Sequence, residues 1–209
     1  PGLALGAGVH ACIEAHIEQG PVLERLGKTI GIVSGIQGKR TFRVTVHGEA
    51  SHAGTSLRAE RRDALMAATA MVQALASRLH DAQDVVKFTV GHFSVTPNAP
   101  SVVPSKVVFS IDLRHPASQV LRELGDAVPA LCQAHAGPCE VQVDELSTAM
   151  STEFPAEMRK VLHDAAARLD FNEDQSIQYT RWDGSRFCYR AGGKGHWGSA
   201  DGVGGALSR

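Results

Sequence analysis

Between residues 29 and 147 the apolar side chains switch back and forth between two periods, and the order of those switches leaves few folds open. Phe42, Val44 and Val46 are spaced by two, with Arg43, Thr45 and His47 between them, as in a strand buried on one face. Over residues 59–80, Leu65, Ala68, Val72, Leu75 and Leu79 fall at helical spacing with no internal Gly or Pro. Residues 85–95 read as a strand bent near Gly91, and residues 96–101, with Pro97 and Pro100, as a loop. Val107, Phe109, Ile111 and Leu113 alternate again. A second helix is expected over 118–135, with Val120, Leu124, Val128 and Leu131 on one face and a kink at Pro129. Gly137-Pro138 ends it, and residues 139–143 give a last short strand. With a strand at 29–33 in front, the order is β-α-β-β-α-β. That is an α+β, ferredoxin-like sandwich with two helices on one face of an antiparallel sheet.

Residues 151–169 predict a third helix that such a sandwich does not need. After Asp174 the pattern changes: both tryptophans and both tyrosines lie between Tyr179 and Trp197, glycine crowds residues 192–205, and neither period is legible. The tail over 175–209 is expected to be atypical, disordered or translated out of frame. The chain opens on Pro1, so its numbering is expected to begin inside a longer protein.

Composition excludes several classes of partner. The 209 residues carry a formal net charge of -1, which argues against nucleic acid or an anionic membrane as the main partner. No apolar run approaches the roughly 20 residues that cross a bilayer. Cys12, Cys132, Cys139 and Cys188 form no CxxC pair, so a reducing, cytoplasmic setting is expected. A nucleic-acid-binding ferredoxin-like domain needs aromatics on its sheet and a basic surface, whereas aromatics are 5% of this chain.

Three strings carry residues suited to chemistry. In HIEQGP (residues 16–21), His16 is a candidate metal ligand that a carboxylate beside it can orient, but one imidazole makes no site, and an ordinary surface or core histidine fits as well. In GEASHAGT (residues 48–55), small neighbours leave His52 free to project from a loop and donate to a developing oxyanion; a loop-capping role fits equally. In DLRH (residues 112–115), Arg114 offers a fork for a substrate carboxylate, or half of a structural pair with Asp112 or Asp63.

In this order the strings resemble the zinc-dependent amidohydrolases that cleave N-carbamoyl amino acids, ureidopropionate and allantoate, within the aminoacylase and carboxypeptidase superfamily. The matching pieces are HIEQGPVLE (16–24), IGIVSGIQG (30–38), VHGEASHAGTS with RRDA (46–64) and VTPNAPSVVPSKVVFSIDLRH (95–115). The resemblance implies a two-metal catalytic domain and an inserted ferredoxin-like lid that also forms a homodimer. On it, residues 1–28 are a strip of the catalytic domain, 29–147 the lid, and 148–174 a helix returning to the catalytic domain. It further implies His16 as a metal ligand, Gln19 touching the ureido group, His52 stabilising the oxyanion and Arg114 holding the substrate carboxylate. The dimer contact would set His52 and Arg114 near a partner's site. The metal would be zinc or manganese, two per site in the whole enzyme.

Two departures bear on the substrate. Ser101 stands where the family pattern Pro-Asn-x-x-Asn-x-x-Pro has its second asparagine, which helps bind the carboxylate. Ser56-Leu57-Arg58 replaces the usual Thr-Pro-Met. The family's HxD string and Glu-Glu pair, which supply further ligands and the catalytic glutamate, would precede Pro1. The isolated chain is therefore expected neither to retain stoichiometric zinc nor to hydrolyse ureido acids. Other readings are a non-catalytic dimerisation module, or a peptidase or aminoacylase of the same superfamily.

Overall fold

The computed structural model describes Ala11, Ile13, residues 16–18 and 20–169, and the backbone of Ser176–Arg181. The first elements are α1 (Val22–Arg25), β1 (Ile30–Ile36), β2 (Gly38–His47), β3 (Ser51–His52), a 3-10 turn (Arg58–Glu60) and α2 (Ala64–Leu79). Then come β4 (Lys87–Thr89), β5 (Phe93–Thr96), β6 (Val102–Val103), β7 (Lys106–His115) and α3 (Ser118–Ala134). The last are β8 (Glu140–Ala149), β9 (Thr152–Glu153), α4 (Ala156–Arg168) and β10 (Ser176–Arg181). They form two compact units: Gln37–Ser151, and a second made of the segments on either side of it.

The Gln37–Ser151 unit is built on an antiparallel sheet in the order β4-β7-β2-β8, with β5 paired to the start of β7. Taken as β2, β4/β5, β7 and β8, that is the interleaved order of a ferredoxin-like sandwich. Period two decides which face is covered. Phe42, Val44 and Val46 of β2 and Val107, Phe109, Ile111 and Leu113 of β7 are all buried, packed against Ala64, Ala68, Met71 and Leu75 of α2 and Leu121, Val128 and Cys132 of α3. The alternate residues, among them Lys39, Thr41, Arg43, Ser110, Asp112 and Arg114, face away from the helices. Asp63 starts α2 by accepting the amides of Leu65 and Met66 at 3.0 and 3.1 Å. The helix thus begins later than residue 59. α3 continues through Pro129 as one helix.

One cation is built into the helix-side layer. Arg40 donates from Nε and Nη2 to the two oxygens of Glu145 at 2.8 Å each, and from Nη1 to Asp126 at 2.7 Å and the Arg122 carbonyl at 3.0 Å. Its guanidinium lies 5.2 Å from the Phe42 ring centroid. The hydrogen bond to Glu145 raises Arg40 above its ordinary value and holds the Glu145 carboxyl below the usual range. β2, β8 and α3 are tied together at this point.

The strand expected at 29–33 does not belong to the sandwich. β1 pairs in parallel with β10 and, at its end, antiparallel with β9, all in the second unit. The ferredoxin-like unit therefore begins at 37, without the strand expected over 29–33. Ile30–Ile36 and Gly38–His47 are separated only by Gln37, so the extended pattern carries no mark of where the chain leaves one sheet for another. The last strand of this unit is also longer than 139–143. β8 runs over Glu140–Ala149 along the sheet edge, where many side chains meet solvent and the apolar pattern fades. In the second unit α4 covers Ala156–Arg168, and Phe154 N donates to Ser34 O at 2.8 Å. Part of the tail read as patternless is a strand, since Ser176–Arg181 continues the β1 sheet. The other tail residues lie outside those described.

Candidate active site

The His52 loop is assembled from backbone outward. Where β2 ends, Gly48 N donates to Ser105 O and Glu49 N to Arg62 O, both at 2.8 Å. A Cβ at Gly48 would overlap the Arg62 carbonyl oxygen, so only glycine lets these segments meet. β3 then pairs with β6, Ser51 opposite the buried Val103 and His52 opposite Val102, and Ala53 N donates to Ser101 O at 3.0 Å. The structure thus brings His52 and Ser101 onto one small ribbon, both exposed.

The His52 ring has a defined proton. Gly54 N donates to Nδ1 at 3.0 Å, so in the neutral ring Nδ1 carries the lone pair and Nε2 the hydrogen. An exposed Nε2–H on a pinned loop is a donor suited to negative charge developing on a substrate oxygen. Gly54 also leaves room for the ring, because a Cβ there would come within 3.3 Å of His52 Cε1.

Arg114 is elsewhere. It lies on β7 opposite Lys39 and Lys87, whereas the His52 loop adjoins the other end of that strand, where Lys106 pairs with His47. Eight residues of strand separate Lys106 from Arg114, roughly 26 Å at the usual rise. Within this unit the structure does not bring His52 and Arg114 together. Of the pairings left open for Arg114, the structure shows Asp112: Nε and Nη2 donate to its two oxygens at 2.7 and 3.0 Å, and Lys39 Nζ lies 3.6 Å from the same carboxylate. The Asp112 carboxylate orients the fork.

His16 lies in the second unit and is exposed. Its Nδ1 is 2.6 Å from Ile17 O, an atom that only accepts, so Nδ1 bears the hydrogen and Nε2 the lone pair. A backbone carbonyl on one nitrogen and a lone pair on the other is how a metal-binding imidazole is commonly held. Glu18 does not orient it. The Glu18 oxygens instead accept the amides of Val22 and Leu23 at 2.8 and 3.0 Å, capping α1. Among the described residues no three His, Cys, Asp or Glu side chains gather as a metal site, so those residues do not by themselves fit a two-metal centre. Gln19 lies outside the described residues.

Sequence reading missed Ser56, whose hydroxyl is a hub of the His52 turn, accepting from Ser51 Oγ at 3.1 Å and donating to His52 O at 2.7 Å. Of the two adjacent arginines, Arg62 reaches Pro138 O and Glu140, while Arg61 turns to the His52 loop. The only signal was a hydroxyl and a cation near a loop histidine, which fixes no partner before folding.

A family model described as a peptidase dimerisation domain matches residues 34–139. The chain belongs to that family. The peptidase dimerisation domain thus coincides with most of the ferredoxin-like unit. Beyond it the chain is 37% identical over 167 residues to the N-carbamoyl-L-amino-acid amidohydrolase of Paenarthrobacter aurescens, covering 79% of this chain and 40% of that protein. It is 33% identical over 171 residues to the allantoate amidohydrolase of Escherichia coli (strain K12), covering 82% and 41%. A solved amidase of the hydantoinase/carbamoylase family from Burkholderia vietnamiensis superposes with a TM-score of 0.76 at 30% identity, covering 81% of this chain and 41% of that one. The chain therefore spans about two fifths of the length of these relatives. No helix among the described residues is long and apolar enough to cross a membrane.

Proposed function

We propose that this chain is the lid and dimerisation part of a metal-dependent amidohydrolase that cleaves the ureido C–N bond of N-carbamoyl amino acids or allantoate. The observation that carries the reading is the His52 loop: an exposed Nε2–H held in one tautomer, in a chain similar to proteins named as amidohydrolases. Attack on a ureido carbon turns its oxygen into an oxyanion, and a fixed donor lowers that barrier more than it stabilises the ground state. Arg114, oriented by Asp112, takes the substrate carboxylate. Gln19 contacts the ureido group, and Ser101 offers a shorter hydrogen-bonding group where the family has asparagine. His16 is one ligand of a divalent metal, zinc or manganese, whose further ligands the described residues do not supply. The chain contributes recognition and oxyanion stabilisation, in a cytoplasmic enzyme.

Two lids pair as a homodimer. The separation of His52 from Arg114 then has a simple consequence: each lid serves two sites, giving Arg114 to one and His52 to the other. A two-fold axis makes both sites complete. The test is a panel of N-carbamoyl amino acids, allantoate and N-acyl amino acids offered to the complete enzyme. Ammonia release from ureido compounds is expected, with a loss of about 10²–10³ in kcat for His52→Ala, the scale of one oxyanion donor. Preferential hydrolysis of N-acyl amino acids or dipeptides would instead identify an aminoacylase or peptidase.

A further inference from the structure

The His52 turn is closed from outside by a residue that the proposed chemistry does not use. Arg61 Nη2 donates to Ala53 O at 2.7 Å and to Ser56 O at 3.0 Å, and its Nε donates to Ser56 Oγ at 3.0 Å. One planar fork therefore bridges both shoulders of the four-residue turn that follows His52. Ser56 Oγ has its full complement of partners: it accepts from Arg61 and from Ser51 Oγ and donates to His52 O. His52 O accepts a second bond, from Ser56 N at 3.1 Å. On the other side of the turn Ala53 N is tied to Ser101 O at 3.0 Å. The turn is pinned on both sides, and it is the turn that aims Gly54 N–H at His52 Nδ1.

We infer that Arg61 is a positioning residue for His52: by clamping Ala53 and Ser56 it fixes the Gly54 amide, which fixes the ring's tautomer and aims Nε2–H outward. Three acceptors shared between Nε and Nη2 suit a guanidinium and not an ammonium, whose point charge cannot match the fork. Arg62 next to it is a built-in comparison, since its side chain leaves the turn for Pro138 O and Glu140. The inference deepens the proposed function, because a positioned His52 matters to catalysis only if His52 is the oxyanion donor.

The test is made on the purified chain labelled with ¹⁵N-histidine, by long-range ¹H–¹⁵N correlation of the His52 ring at a pH where it is neutral. The parent chain is expected to show well-separated nitrogen signals with the hydrogen on Nε2. In Arg61→Gln the two signals should move toward each other as both tautomers are sampled. Arg61→Lys should restore only part of the separation, and Arg62→Gln should leave it unchanged. If Arg61→Gln does not fold, Ser56→Ala tests the same clamp and should also narrow the separation. Unchanged His52 signals in a folded Arg61→Gln or Ser56→Ala chain would overturn the inference, as would an equal change in Arg62→Gln. This readout is independent of turnover. Should His52 not be the oxyanion donor, the complete enzyme carrying His52→Asn would keep its activity while the tautomer result stood.

Discussion

The Arg40 guanidinium occupies the space that any side chain at position 125 would need. A Cβ built on Gly125 would sit 2.6 Å from Arg40 Cζ and 2.7 Å from Nε, so Gly125→Ala must displace the buried Arg40 guanidinium from its carboxylate partners. A loss of about 1–3 kcal/mol is expected, the usual cost of overpacking, measured by urea unfolding. The same cluster sets an acid dependence. Arg40 holds the Glu145 carboxyl below its ordinary value, so this stabilisation is complete above that value and disappears as pH falls through the lowered one. Melting temperature in Glu145→Gln should be lower than in the parent at neutral pH and should fall less on acidification. At the opposite extreme, burial pushes the Cys132 thiol up to about 11. Site-resolved mass spectrometry after a thiol reagent at pH 8 should find Cys132 unmodified in the folded chain and modified in urea. Rapid labelling without denaturant would contradict the packing of α3 on the sheet. Residue types at this scale were legible in sequence, and their partners were not. Arg114 could be narrowed to Asp112 or Asp63, because a neighbour two positions along a strand shares its face. Arg40 gave no such clue, as Asp126 and Glu145 are distant in the chain.

Elements were legible where periodicity and length agreed. β2, α2, β7 and α3 bury one face against a common core, and their spacing says so in advance. β1 was assigned to the wrong sheet, because alternation reports a half-buried strand and says nothing of its neighbours. β8 was cut short because an edge strand buries less and needs fewer apolar residues. β10 was missed because its order comes from parallel pairing with β1, a contact across more than a hundred residues. The start of α2 shows a boundary set by one side chain. Asp63→Ala removes the acceptor for the Leu65 and Met66 amides and should cost about 1 kcal/mol in thermal unfolding. A null effect would mean that tertiary packing alone fixes the helix start.

For the whole molecule, the sequence pointed to the ferredoxin-like unit, its family and the strings that carry His16, His52 and Arg114. What it did not disclose is that His52 sits on the β3–β6 ribbon, beside one end of β7, while Arg114 lies near the other end of that strand, since strand order and register are properties of the folded chain. Their distance makes shared sites the central claim. The direct measurement is complementation in the complete enzyme, with His52→Ala and Arg114→Ala homodimers mixed, dissociated and reassociated. If each lid serves two sites, random mixing yields heterodimers with one intact site and one doubly defective site, and about a quarter of parent activity should return from two nearly inactive stocks. No recovery, with heterodimers demonstrated by mass, would mean that His52 and Arg114 of one lid act in the same site, and the account would be wrong.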